Sequence, residues 1–141
     1  MTNRSKPGGT FVPHLLYADV EAAMAWLCLA FGFRERLRIT DGDGRVGHAQ
    51  LAYGAGGVML GVGTPAPASF KMTVSVDDVD AHYAQAVAQG AVIVLSPENH
   101  PFGERQYTAQ DVEGYRWTFS QTMADVDPAD WGAVVAQIHR T

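Results

Sequence analysis

The groups with which this 141-residue chain could hold a metal or move a proton are five histidines, fifteen carboxylates and one cysteine. One short run stands out, GHAQLAY at Gly47 to Tyr53. A histidine and an amide alternate there with apolar residues. His48 and Gln50 therefore share one face of a strand, and Ala49 and Leu51 share the other. Imidazole titrates near neutral pH and ligates divalent metals, so His48 is a candidate general base or metal ligand. It is equally a candidate hydrogen-bonding wall. His14, in FVPHLLY, raises the same question. No P-loop, G-x-S-x-G, H-E-x-x-H or C-x-x-C occurs. Phosphate cradling, triad hydrolysis and zinc-protease chemistry thus have no motif behind them.

Composition narrows the classes further. The chain is 47% hydrophobic and 18% charged, enough for a packed core. A formal net charge of -5 argues against a nucleic-acid partner, which would want a basic face. No run of 18 apolar residues exists, so no membrane helix is expected. The single cysteine, Cys28, lies in an apolar helical pattern and reads as a core thiol. Without a second cysteine there is no internal disulfide, and a cytoplasmic location is the expectation.

The elements that must position these residues come twice. Residues 1–10, MTNRSKPGGT, have basic groups but no apolar run behind them and read as a flexible tail. A strand is expected over Phe11 to Tyr17. Asp19 then caps a helix that carries Val20, Met24, Leu27 and Phe31 and stops at Gly32. Strands follow at 34–40 and 46–53, joined by DGDG, and a third at 57–62. The Pro-rich residues 64–69 form a linker. The pattern then repeats: strand 70–76, a helix from Asp78 to Gly90, strand 92–95, loop 96–103, strand 105–110, a turn at DVEG and strand 115–121. DVEA at Asp19 matches DVDA at Asp78 in order and in register. The expected fold is α+β, two βαβββ modules at 11–63 and 70–121. Residues 122–141 are left as a C-terminal extension, expected to be helical from Pro128 through Trp131, Val134, Val135 and Ile138.

Two such modules, with the strand-Asp-Val helix openings, the GHAQL strand and the ending FGERQYTAQDVEGYRWTF, resemble the vicinal oxygen chelate superfamily. Glyoxalase I, extradiol dioxygenases, fosfomycin-resistance enzymes and bleomycin-resistance proteins belong to it. The resemblance covers roughly Phe11 to Gln121. It implies curled sheets around a cleft, and in many members a metal held at four positions. Aligned by the helix starts and the D-x-x-G turn, those positions fall on Val12, Gln50, Lys71 and Thr118. A slip of two residues keeps the strand face and substitutes His14, His48, Thr73 or Ser69, and Arg116 or Ser120. Neither register supplies the three ordinary ligands that a catalytic site needs, unless Glu98, His100 or Glu104 adds to it.

Strand parity sorts the faces independently. Phe70, Met72, Val74 and Val76 face the helix, and Lys71, Thr73 and Ser75 the cleft. Tyr115, Trp117 and Phe119 face the helix, and Arg116, Thr118 and Ser120 the cleft. His82 is expected on the solvated side of its helix. The cleft thus gathers His14, His48, Gln50, Lys71, Thr73, Arg116 and Thr118. Phe102, Arg105 and Tyr107, at and beyond the loop NHPFGERQY, are added as candidate ligand contacts. The face of Arg105 and Tyr107 stays open, and Arg105 reads equally as a structural ion pair with Asp111 or Glu113. A wall of this kind suits a small organic ligand, antibiotic or metabolite, bound without a metal or other cofactor. A divalent metal is the alternative. The resemblance implies a homodimer with shared clefts. An enzyme, using a metal or His48 as general base, is the competing class.

Overall fold

The duplication is explicit at the helix starts. In the computed structural model, which describes residues 3–136, Asp19 accepts from the Ala22 N–H and Asp78 from the Ala81 N–H, both at 3.0 Å. A carboxylate placed this way satisfies a donor that the first turn leaves orphaned and sits well against the helix dipole. The caps open α1 (Val20–Phe31) and α2 (Val79–Ala88). Gly32 closes α1 with φ of 79°, a left-handed conformation in which a Cβ would be strained.

Four strands accompany each helix. β1 (His14–Tyr17), β2 (Arg34–Thr40), β3 (Val46–Tyr53) and β4 (Gly56–Val62) form one sheet in the order β1-β4-β3-β2. β5 (Lys71–Ser75), β6 (Val92–Asn99), β7 (Glu104–Gln110) and β8 (Arg116–Thr122) form the other in the order β5-β8-β7-β6. In both, the first strand runs parallel to the last and the remaining neighbours are antiparallel. The architecture is two βαβββ modules, as the repeat implies. One correction concerns β6. Its strand continues through Ser96–Asn99, the part expected as a loop, and takes in Pro97. It is an edge strand with register shifts around Leu95, and an edge or a bulge tolerates a missing N–H.

One core runs through both modules. α1 buries Val20, Ala23, Met24, Leu27, Ala30 and Phe31, and it touches α2. The strands bury every second residue against this layer: Leu15 and Tyr17, Ala49 and Leu51, Tyr107 and Ala109, Trp117 and Phe119. Each sheet therefore turns its other face away from the shared core.

Beside exposed bonds from Trp26 to the Gln89 carbonyl and from Gln85 to the Leu29 carbonyl, two inner polar contacts tie the modules together. The first is the buried Asp111 carboxylate. Its Oδ1 accepts from the N–H groups of Glu113 and Tyr115 at 3.0 and 3.1 Å. Its Oδ2 accepts from the Tyr17 hydroxyl at 2.6 Å and from Trp117 Nε1 at 3.0 Å. Burial, and then the nearby Asp111 charge, push the Tyr17 hydroxyl far above its usual range, so it stays a donor. Tyr115 returns the bond by donating to the Leu16 carbonyl at 2.7 Å. The second contact corrects an expectation. His82 is not solvated. Its Nε2 lies 2.7 Å from the Phe31 carbonyl, which can only accept, so Nε2 carries the proton. Nδ1 then accepts from the Tyr107 hydroxyl at 2.5 Å. The ring packs on Phe119 with centroids 4.1 Å apart.

The termini also differ from expectation. Residues 4–9 are fitted to the first sheet rather than loose. The Ser5 carbonyl accepts from Gln50 Nε2 at 3.0 Å. The Arg36 guanidinium donates to Gln50 Oε1 and, at 3.2 Å, to the Arg4 carbonyl. Pro7 is buried, and a Cβ on Gly8 would lie 2.4 Å from the Ala55 carbonyl oxygen, a separation that a side chain cannot accept. At the other end a single 3-10 turn, Pro128–Trp131, replaces the expected longer helix. Val134 and Val135 follow it exposed, and Ile138 lies outside the described residues. No helix among the described residues is long and apolar enough to cross a membrane.

Both inter-module contacts are testable. Tyr17→Phe removes one donor from a buried carboxylate and should cost about 1–3 kcal/mol in urea unfolding. Asp111→Ala strands four donors and should cost more; a Tyr17→Phe protein as stable as the wild type would refute the role of the bond. His82 gives a pH signature. Burial holds its imidazole below the usual histidine range, opposed in part by the Phe31 carbonyl. The unfolded chain binds this proton at about pH 6.5, before the folded chain does. The contribution is thus fully present above that pH and is lost as pH falls through the lower folded value. Unfolding midpoints measured from about pH 7.5 to about pH 5 should decline less steeply for His82→Gln than for the wild type. Parallel declines would contradict this.

Candidate functional site

Residues opposite each other on neighbouring strands share a face. On the second sheet Lys71 lies opposite Arg116 and Thr73 opposite Thr118, across β5 and β8. Thr118 is in turn opposite Thr108, and Ser120 opposite Gln106, across β7 and β8. Leu95 and Glu98 of β6 continue those two rows. The residues of β5, β7 and β8 alternate with core residues, and the pairing of β6 across its register shifts brings Leu95 and Glu98 to the same open face, away from α2.

This face holds a cavity of about 320 Å³. Lys71, Thr73, Leu95, Glu98, His100 and Gln106 line it, with the buried Thr108 and Thr118. A neighbouring hollow of about 600 Å³ shares Lys71, Leu95 and Thr108 with it and adds Phe70, Gln110 and Arg116. The polar groups are held in place. The Thr108 and Thr118 hydroxyls share a hydrogen bond of 2.7 Å. Ser120 Oγ donates to Glu104 Oε1 at 2.6 Å and accepts from Gln106 Nε2 at 3.0 Å. His100 stacks on Phe102, 5.1 Å between centroids and 11° between planes, and Phe102 packs on Trp131 at 5.6 Å. The turn of the C-terminal extension therefore backs a wall of the cavity.

The first sheet is chemically different. His14, Met59, Gln50 and Leu37 make one cross-strand row, and Leu16, Gly61, His48 and Ile39 the next. His14 is exposed and His48 half-buried. No carboxylate among the described residues lies within ion-pair reach of either ring. Gln50 is only 3% exposed, because residues 4 and 5 cover it.

Each candidate from the sequence can now be placed. His14, His48 and Gln50 emerge on the first open face, and Lys71, Thr73, Arg116 and Thr118 on the second. Phe102 stands behind His100 rather than on the cavity wall. Arg105 and Tyr107 are on the other face and do not reach the cleft. Arg105 pairs with Asp80 of α2 at 3.1 Å, not with Asp111 or Glu113, and Tyr107 is spent on His82. Leu95, Gln106 and Thr108 join this wall without being among the sequence candidates. Their signal is the alternation in RQYTAQ, where Tyr107 and Ala109 take the core and leave Gln106 and Thr108 to the cleft. The donor set does not fit a divalent cation held by this chain. No three His, Cys, Asp or Glu side chains converge among the described residues. Glu98 and His100 approach each other at 3.7 Å, but the other groups around them are an ammonium, an amide and hydroxyls.

Comparisons with known proteins agree with this geometry. An uncharacterized protein of Mycobacterium bovis (strain ATCC BAA-935 / AF2122/97) is 30% identical over 130 residues, covering 82% of this chain and 84% of that protein. The crystal structure of TioX from Micromonospora sp. ML1 superposes with a TM-score of 0.70 at 35% identity, over 92% of this chain and all of that one. A glyoxalase-related enzyme from Clostridium phytofermentans shares the fold, with a TM-score of 0.67 at 15% identity, over 85% of this chain and 99% of that one. Residues 11–119 match the family described as the Glyoxalase/Bleomycin resistance protein/Dioxygenase superfamily, and the chain belongs to it.

Proposed function

We propose that this protein binds a small organic molecule, an antibiotic or a metabolite, reversibly and without a metal, on the open faces of its sheets. One observation carries the reading. The open face of the second sheet has two adjoining hollows in which fixed hydroxyls, an amide, the Glu98–His100 pair and two cations converge beside Phe70 and Leu95. That is the make-up of a ligand pocket: apolar area for the body, a few directed polar groups for orientation. Membership of a family whose description includes bleomycin resistance supports the same reading.

The working unit in this proposal is a homodimer. Within one chain the two modules pack through their helices and a shared core, and the open face of each sheet turns away from that core. Leu16, Ile39, Val92 and Leu95 are therefore left exposed on the open faces, at 45 to 59%. A second copy can set its first sheet against the second sheet of its partner and cover this apolar surface. A cytoplasmic location belongs to the same proposal.

A thermal-shift screen of antibiotics and metabolites tests it. At about 100 times its Kd a ligand stabilises the folded state by about 2.7 kcal/mol. The expected result is at least one compound that raises Tm equally with and without EDTA, and less in Thr118→Val. Light scattering should give twice the 15.2 kDa of one chain. A screen without any hit, or hits that vanish with EDTA, would overturn the proposal.

A further inference from the structure

The charges on the second open face run against those of the chain. Its formal net charge is -5, yet Lys71 and Arg116 stand directly opposite each other on β5 and β8. Each is followed by a residue packed into or against the core, Met72 and Trp117, so both cations leave on the same side. Neighbouring strands are about 4.8 Å apart, and two like charges in facing positions repel. Such a pair needs compensation. Arg105 of the same module has it, in Asp80 on the helix side. Neither Lys71 nor Arg116 has a carboxylate within ion-pair reach among the described residues.

The groups next to the cations make the same demand. Thr73 and Thr118 form the next facing pair along these strands. Thr118 is 5% exposed and Thr108 is 8% exposed, and their hydroxyls bond each other. Two hydroxyls carry two protons, and their mutual bond uses one. The second proton is free for an acceptor in the cavity that both line. The one carboxylate lining this cavity, Glu98, lies 3.7 Å from His100 and reaches neither cation, so two uncompensated cations beside a spare hydroxyl donor match an oxyanion.

We propose that this face is an anion site, and that the ligand carries a carboxylate or phosphate group. Its oxygens sit between the Lys71 ammonium and the Arg116 guanidinium and accept from the Thr108–Thr118 pair. Its organic part lies along Phe70 and Leu95. The inference rests on the binding function proposed above and names the chemistry of the ligand.

The experiment is an NMR titration of the whole protein with sodium phosphate and, separately, sodium benzoate, at constant ionic strength. Saturable amide shifts are expected at residues 71–73 and 116–118. Response to phosphate alone or to benzoate alone identifies which oxyanion the site takes. In Lys71→Gln/Arg116→Gln binding should weaken by about tenfold or more, since both charged contacts are gone. The anion-free protein gives a second readout. Each single substitution relieves a repulsion, so it should raise Tm at low salt, and added sodium chloride should shrink the gain. No saturable shift at these residues with either anion, or equal affinity in the double variant, would overturn the site. So would single variants that lower Tm. The two proposals fail separately. If neutral compounds from the thermal screen bind the double variant as well as the wild type while neither anion binds, the anion site falls and the binding function stands. If phosphate binds and no organic compound, benzoate included, stabilises the protein, the reverse holds.

Discussion

The open face of the second sheet depends on the Asp111 carboxylate and the four donors aimed at it. Two of these donors belong to its own turn and fix the β7–β8 connection. The third, Trp117 Nε1, fixes which residue of β8 points into the core. The fourth, the Tyr17 hydroxyl, comes from the first module. A strand has period two, so a slip of one residue would exchange its faces completely. Trp117 cannot reach Asp111 from the open side. While that bond holds, Arg116 and Thr118 cannot turn inward, and the parallel ladder to β5 carries the same parity to Lys71 and Thr73. The carboxylate is buried at a desolvation cost, which is tolerable because its hydrogen-bonding capacity is filled.

The same contact explains why the two modules form one body. Tyr17 donates across the junction, Tyr115 donates back to Leu16, and His82 bridges the end of α1 to β7. These polar ties sit inside a continuous aromatic layer of Phe31, Phe33, Trp117 and Phe119. With the helix sides consumed in this way, each sheet is left with one free face. Those faces contribute little to the core and so can change chemically at small cost to stability.

The sequence was legible wherever one local rule decided the outcome. The Asp caps, the DVEG turn and the alternation in FKMTVSV and RWTFS are such places, and they put Lys71, Thr73, Arg116 and Thr118 on the correct side. The fold class followed from the match between DVEA and DVDA. What could not be read depends on partners far along the chain. His82 is held by the Phe31 carbonyl, 51 residues earlier, and by Tyr107 and Phe119 of its own sheet, none of which the pattern of α2 alone reveals. Residues 4–9 look like a tail because their partners, Gln50, Arg36 and Ala55, are some fifty residues or fewer away but on other elements. Arg105 was ambiguous for another reason. The register shifts in β6 interrupt the count from the helix, and the face of β7 is settled by Tyr107 and Ala109 being buried.

Duplication gave both modules the same positions, and their side chains then diverged. Where the first sheet carries His14, the second carries Thr73; where the first carries Gln50 under a cover of its own chain, the second carries an open wall with Gln106 and Thr108. A cation bound between such faces would need imidazoles or carboxylates converging from several strands, and among the described residues no three of them converge. A ligand bound by hydrogen bonds needs less. It tolerates two unlike walls, one of them bearing Leu16, Ile39 and Met59 with two histidines, the other bearing hydroxyls and cations. The unlikeness is itself useful, since a molecule with an apolar side and an anionic side would be held in one orientation between them. A symmetric pair of walls could not fix its direction.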